Sequence, residues 1–515
     1  MSRQNVLNIE NLAMELKNKI SRENEDCDFK IGIIVANDNA DSKNFFPFSL
    51  AQIVSQKVIS LGSLCEIVSL PAINERIRNF CDSNEVVCAY KKQIANFLEL
   101  ICFERHFDGV VFIPSGFNCT VGCLCSSIRL NLPTVILPVG LSQKMEGENL
   151  LDILSLPGQI ATNKKSAFDL EKGKNNFCET NGSGVDFSTE NIFYTVLEIM
   201  ELSEFGSATT PANSYKKEDE AGRVAKKIVE MTKCRLTLNK MINKKSIINS
   251  QLLNGAMGGS FAITNTLFEL ANEAGIDLDI DKLIALLQKS PVLFDTTNKT
   301  EKFTEQGGTM GLIKAMIKNK IIDGTYKTFS QKTLLEETRN ADNFENFLTL
   351  LRKESNIVFK GNLADKFAVT KSIFVGVDKT KIISDAVVFE SDEEASRAVL
   401  NNILNKGETI VIKAKIAKNC PCTVCKTPLA LTSTGRENEH LIITNGFLDD
   451  SIKCTGITCV STLESPLELL QNGDEIEIDF VRGKLNVNLS TKELAKRQKK
   501  VVLTHKNLAK YFKSL

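Results

Sequence analysis

The chain has 515 residues, 43% of them apolar and 24% charged, the mix of a soluble globular protein long enough for more than one core. Lysine plus arginine and aspartate plus glutamate balance at 63 each, so no global charge draws the chain to nucleic acid or an anionic membrane. Only three histidines occur, which argues against a histidine-rich metal site and leaves few candidates for histidine-based nucleophilic triads.

The opening stretch MSRQNVLNIENLAMELKNK alternates charged and apolar residues and has no continuous apolar core of a signal peptide. No later run approaches the length of a membrane span, so the expectation is a cytoplasmic protein with no membrane partner. KIGIIVAN at 30–37 is a β-branched run bounded by polar residues, a buried strand. Leu50, Ile53, Val54 and Val58 follow at helical spacing, and LCEIVSLP reads as a second strand. KKQIANFLELICFERHF is helical, and DGVVFIPS and PTVILPVG are strands flanking a cysteine-bearing segment. This alternation predicts a parallel sheet covered by helices. From 141 to about 220 the chain is more polar, and GKNNFCETNGSG and ATTPANSYKKEDEAG read as loops. Residues 221–352 are strongly helical.

The texture changes near 356, where IVFKGN, KSIFVGV, AVVFE, TIVIKAKI, LIITNGF and EIEIDFV read as short strands separated by turns. The fold class is therefore α/β. A parallel-sheet α/β domain over 1–352 precedes a β-barrel-like domain over 356–490 and a basic helical tail over 491–515. Such a tail is a solvated face or a dimer arm sooner than a nucleic-acid patch.

Fifteen cysteines in a reducing compartment argue against a disulfide framework. Those between apolar neighbours, such as Cys65 and Cys102, behave as small core residues. Cys119 and Cys123 point one way on a helix, with Cys125 turned roughly 160–200° from Cys123, so they read as small residues packing a helix onto the sheet. Cys420, Cys422 and Cys425 in the proline-containing loop NCPCTVCK are the better metal candidates, with a buried or merely reducing thiol loop as the alternative. No fourth ligand lies nearby in sequence, and His440, Cys454 and Cys459 are the candidates for one. GAMGGS at 255–260 places Gly258, Gly259 and Ser260 at a turn where a helix can start close to a ligand. They are the candidate substrate-binding residues, with close helix packing as the equal alternative.

Several stretches together resemble the dihydroxy-acid dehydratase and 6-phosphogluconate dehydratase family. DGVVFIPSGFNCTVGCLCSSIRLNLPTVILPVG resembles its Cys-Asp-Lys segment, and STENIFYTVLEIMEL the helix after its third cluster cysteine. AGRVAKKIVEM, GAMGGSFAITNTLFELANEAGIDLDID, EQGGTMGLIKAMIKNKIIDG, GNLADKFAVTK, VFESDEEASRAVLNNILNKGETIVIKA, LALTSTGR and SPLELLQNGDEIEID follow in the family's order. The resemblance implies an α/β domain followed by a barrel-like domain in a homodimer, with the pocket between the domains. It also implies a hydro-lyase that removes water from a 2,3-dihydroxy or sugar acid to give a 2-keto acid through an enol. The family uses an iron–sulfur cluster as Lewis acid, Mg²⁺ on the carboxylate and a serine as base.

At the places that carry this chemistry the chain departs from the pattern. The cluster positions fall on Phe46, Gly116 and Gly184, and the Cys-Asp-Lys motif on Gly116, Phe117 and Asn118. Upstream of Gly184 only Cys178 remains. An early magnesium carboxylate falls on Asn74 or Arg76, with Glu75 adjacent, a later one near Cys425 or Lys426, and the serine on Asn438. Neither cluster nor Mg²⁺ is therefore expected. The sequence reads as a catalytically silent or repurposed homologue, a homodimer or the partner of an active relative. The alternatives are an active dehydratase with an unusual cluster site and a metal-binding protein acting through Cys420, Cys422 and Cys425. Phe46 and Phe117 are expected to pack toward the domain interface.

Overall fold

Unbroken Val/Ile runs are compatible with a strand covered on both faces, and the two such runs near the N-terminus form the middle of one parallel sheet. In this computed structural model the described residues are 29–37, 46–73, 75, 77, 80, 85–142, 149–175, 182–184, 187–296, 300–325, 328–330, 332–341, 351–376, 379–414, 423–460 and 466–499. Strands β1 (Lys30–Asn37), β2 (Leu64–Pro71), β3 (Gly109–Ile113) and β4 (Thr134–Ile136) lie in the order β2-β1-β3-β4, all parallel. Every residue of β3 and β4 is buried.

The crossovers are the helices α1 (Phe46–Ser60), α2 (Glu85–Arg105) and α3 (Phe117–Leu130). Helix α3 has ten buried residues and packs on α2. A second helical layer follows: α4 (Leu150–Ala161), α5 (Ala167–Asn175), α6 (Thr189–Ile199), α7 (Tyr215–Lys233), α8 (Lys244–Ala256), α9 (Phe261–Glu273), α10 (Ile280–Lys289) and α11 (Gly308–Lys318). The loop expected over ATTPANSYKKEDEAG is corrected here, because α7 begins inside it, while the helix expected in STENIFYTVLEIMEL is α6. The reason is local capping. Asn149 and Asp152 form a reciprocal capping box on α4, and Ser214 Oγ accepts the Lys217 amide at the start of α7.

Beyond Asn356 the chain closes an eight-stranded barrel in the order β10-β12-β6-β5-β14-β13-β7-β8. Its strands are β5 (Asn356–Gly361), β6 (Ala364–Lys371), β7 (Lys381–Phe389), β8 (Thr409–Ile412), β10 (Leu441–Thr444), β12 (Gly456–Val460), β13 (Glu475–Asp479) and β14 (Lys484–Val487). A separate pair is formed by β9 (Thr423–Val424) and β11 (Phe447–Leu448). Phe359, Ile443, Ile457, Ile476, Ile478 and Leu485 belong to a fully buried cluster, as a small closed barrel requires. KSIFVGV, expected as a strand, instead ends β6 and turns through a short 3₁₀ segment at Ser372–Phe374. Outside the barrel lie α12 (Asp392–Leu400) and α13 (Lys426–Thr434).

The two regions share an interface. Ile280, Ile284 and Leu287 of α10 pack against Phe367 and Val369 of β6, and α4 packs on α12 and α13. The α4–α13 approach is close enough that a Cβ on Gly158 would stand 1.9 Å from Ser433 Oγ. Residues 491–499 of the basic tail are helical, and Arg497 ties them to the barrel through Asp474 at 2.6 Å. No helix of the described residues is long and apolar enough to cross a membrane.

Candidate functional site

The turn after β3 leads into α3 through Gly116, whose φ of 94° favours glycine. The first amides of a helix lack intrahelical acceptors and carry the positive end of its dipole. Two carboxylates meet them here. Glu190 Oε1 accepts the Gly116 amide at 2.9 Å and the Tyr194 hydroxyl at 2.8 Å. Glu75 accepts the Asn118 amide at 3.0 Å, the Asn118 side-chain amide at 2.9 Å and the Cys119 amide at 3.1 Å. Burial pushes the Glu75 carboxyl up to about 7, against the pull of these amides and with help from the charge on Glu190.

This arrangement explains the residue at 116, since a Cβ there would stand 2.4 Å from Glu75 Oε1. Phe117, the next residue, packs edge-on to Phe193 with ring centroids 5.1 Å apart. Phe46 begins α1, and both phenylalanines are half-buried against the N-terminal core; neither lines the interdomain cavity. At Gly184 the amide donates to Ser142 Oγ at 3.0 Å, and its carbonyl accepts the Ser142 amide at 3.1 Å. Asn74, Arg76 and Cys178 lie outside the described residues.

Cys119, Cys123 and Cys125 are all buried within α3. Burial pushes the Cys123 thiol well above its ordinary range and the Cys125 thiol up to about 12, so neither is disposed to be a thiolate donor. Among the described residues, no three His, Cys, Asp or Glu side chains are grouped to hold a metal. The residues at Phe46, Gly116 and Gly184 offer no ligand atom to a cluster, and Glu75 and Glu190 are engaged by backbone amides. The described residues at these positions do not fit the cofactors that the resemblance implies.

The start of α13 repeats the pattern. Asp392 accepts the amides of Cys425 at 2.9 Å, Lys426 at 2.8 Å and Thr427 at 2.9 Å. Burial raises the Cys425 thiol well above its ordinary range and takes Cys454 up to about 12. His440 is engaged at both ring nitrogens, by the Glu408 carbonyl at 2.9 Å and by Arg436 at 2.8 Å. Cys420 and Cys422 lie outside the described residues.

Between the domains lies a cleft of about 500 Å³, part of it open to solvent. Gly258 and Gly259 have φ of 94° and 70°, and a Cβ on Gly259 would stand 1.8 Å from Asn356 Oδ1. Gly259 lines the cleft. Ser260, the N-cap of α9, donates its hydroxyl to Asp450 Oδ2 at 2.5 Å. Thr189 Oγ1 at the start of α6 donates to the same oxygen at 2.7 Å, and Lys371 Nζ stands 2.6 Å from Asp450 Oδ1. Asp450 thus joins α6, α9 and β6 across the domain seam. Asn438 is exposed on the turn before β10 and does not line the cleft. The segment beyond the other end of β10 reaches it, through Phe447 and Leu448 of β11 and then Asp449 and Asp450. Sequence reasoning missed Lys371, Asp450 and Thr189. The acidic pair one residue beyond LIITNGF was the available signal for Asp450.

An α/β half with this strand order, a closed barrel and a glycine turn at their seam can be compared with known proteins. The family model for the dihydroxy-acid/6-phosphogluconate dehydratase N-terminal domain matches residues 30–337, and that for the C-terminal domain matches 349–515. The chain belongs to this dehydratase family. Similar relatives include a dihydroxy-acid dehydratase of Hydrogenobaculum, 26% identical over 79% of this chain and 77% of the relative. One from Thermodesulfovibrio yellowstonii is 28% identical over 79% and 78%. One from Campylobacter lari is 27% identical over 94% and 91%. The dehydratase family's two-domain frame therefore spans nearly the whole chain.

Proposed function

We propose that this member of the dehydratase family keeps the fold without the metal-assisted elimination and is a catalytically silent or repurposed homologue. The observation that carries this reading is the start of α3, where Glu75 and Glu190 hold the Gly116, Asn118 and Cys119 amides. There is no room for a thiol side chain on residue 116 while Glu75 stays in place. An elimination needs charge stabilisation on the departing hydroxyl and on the enolate, and the phenylalanines and glycines at the corresponding positions supply none. In this reading the serine's place falls on Asn438, whose side-chain amide is no base.

The protein pairs with a second copy or with an active relative. Phe97, Leu100 and Phe103 on α2, exposed at 42%, 70% and 69%, support pairing through an apolar stripe.

Protein purified without oxygen should be colourless, carry no stoichiometric iron or acid-labile sulfide, and form no keto acid from dihydroxyisovalerate or gluconate with added Mg²⁺. The relatives' names favour the other reading, an active dehydratase with Cys119 and Cys178 as substitute ligands. A brown protein whose turnover is lost on Asn438→Ala would establish that reading instead.

A further inference from the structure

We propose that residues 6–20 dock on helix α2 of their own chain and cover the apolar surface around Phe97 and Leu100, so that this surface opens to a partner only when the segment leaves. The docking stands by itself; its control of association rests on the pairing reading above. Phe97 and Leu100 are exposed at 42% and 70% and lie one turn apart on the outer face of α2. The opposite face of that helix, through Ile94, Leu98 and Cys102, is part of the core. Large apolar side chains gathered on the outer face of a helix mark a surface that another element covers.

The place where the described chain begins selects the occupant. Lys30 enters β1 beside the end of α2. Its amide donates to Asp108 Oδ2 at 2.8 Å, its carbonyl accepts the Asp108 amide at 2.8 Å, and its ammonium lies 5.4 Å from the centre of the Phe107 ring. Helix α2 ends at Arg105, a short turn before Asp108. Leu100 is a little over one helical turn back from that end, about 8 Å along the axis. Residues 21–28, which join the segment to the described chain, reach at most ~29 Å when extended. A segment ending at Ile20 therefore reaches Leu100 and Phe97 with chain to spare. So short a tether sets a local concentration of roughly millimolar, and a modest apolar contact is then enough to hold the segment.

The sequence of the segment suits that surface. Residues 1–28 contain neither glycine nor proline, the two residues that most oppose a helix. At about 100° per residue, Val6, Ile9, Leu12, Ala13, Leu16 and Ile20 fall within an arc of about 120°. Glu10, Glu15, Lys17 and Lys19 fall outside it, and Leu7 and Met14 are the apolar exceptions. The run Ile9, Ala13, Leu16, Ile20 alternates steps of four and three residues, the seam that one helix presents to another. A helix of this length is marginal alone in water, so it needs a second apolar face, and α2 offers one within reach.

Hydrogen–deuterium exchange of the full chain reads the docking directly. The amides of residues 9–20 should exchange about tenfold or more slowly than in free peptide, at a rate independent of protein concentration. Leu100→Glu, a surface change that leaves the core intact, and Leu16→Glu should each remove that protection. Ile383→Glu, at an exposed apolar residue on the barrel, should keep it. Free-peptide exchange in the wild type, or protection unmoved by Leu100→Glu, would overturn the docking. So would protection that falls on dilution, which puts the segment on a second copy. Sedimentation velocity tests the dependent half: Leu16→Glu should self-associate about tenfold or more tightly than wild type, and Leu16→Glu combined with Leu100→Glu should not. If Leu16→Glu loses protection without added association, the docking stands and pairing through this surface falls.

Discussion

Glu75 and Asp450 are both buried carboxylates set against the starts of helices, and they differ in what faces them. Glu75 caps α3 by accepting three hydrogen bonds, and its charged neighbour is a second carboxylate, Glu190. Asp450 receives hydroxyls from the starts of α6 and α9 and has Lys371 as counter-ion. The same device therefore serves two ends. With a counter-ion the carboxylate is a fixed strut between domains; Glu75, through burial first and the like charge second, holds its proton into the neutral range.

The most severe way to break that contrast is to remove the counter-ion. Lys371→Met should leave Asp450 buried and unpaired and cost about 3–5 kcal/mol, read as a lower midpoint in urea denaturation. A loss below about 1 kcal/mol would mean that the pair contributes no more than a surface bridge.

Gly116→Cys tests the crowded end next. A side chain at φ 94° colliding with Glu75 Oε1 should destabilise by about 2–3 kcal/mol. Stability equal to wild type, with iron bound on reconstitution, would show that the α3 start can still accept a cluster ligand.

The smallest effect sharpens the contrast through pH. Because the folded Glu75 carboxyl lies near 7 instead of in its ordinary range near 4.5, the folded state binds the proton more tightly than the unfolded state. Its contribution to stability is full below the ordinary carboxylate range and is lost as pH rises through 7. Glu198 and Glu201 are also raised to about 7, chiefly by burial, so they add to the same slope. Glu75→Gln should flatten the fall in stability between about pH 4.5 and 7 by about 1–2 kcal/mol. An unchanged slope would place the titration elsewhere.

Local sequence pattern carried the fold well where structure is locally decided. The runs KIGIIVAN and LCEIVSLP coincide with β1 and β2 at both ends, because β-branched residues between polar boundaries leave little choice. Polar composition misled over ATTPANSYKKEDEAG, where capping by Ser214 starts α7 inside a stretch that reads as loop. The site was less legible for a physical reason. Glu75 meets Asn118 across 43 positions, and Lys371 meets Asp450 across the barrel wall, so neither pairing has a spacing to read.

The close approach of α4 and α13 has a consequence for synthesis on the ribosome. Helix α4 ends at Ala161 and α13 begins at Lys426, about 265 residues later. At roughly 5–20 residues per second, α4 is made roughly 13–53 s before the surface that covers it exists. During that time Leu154 has none of its barrel-side partners Cys425, Leu429 and Ile452, and an apolar patch is left to chaperones or to chance encounters with other nascent chains. The first domain to leave the ribosome is thus among the last to be finished.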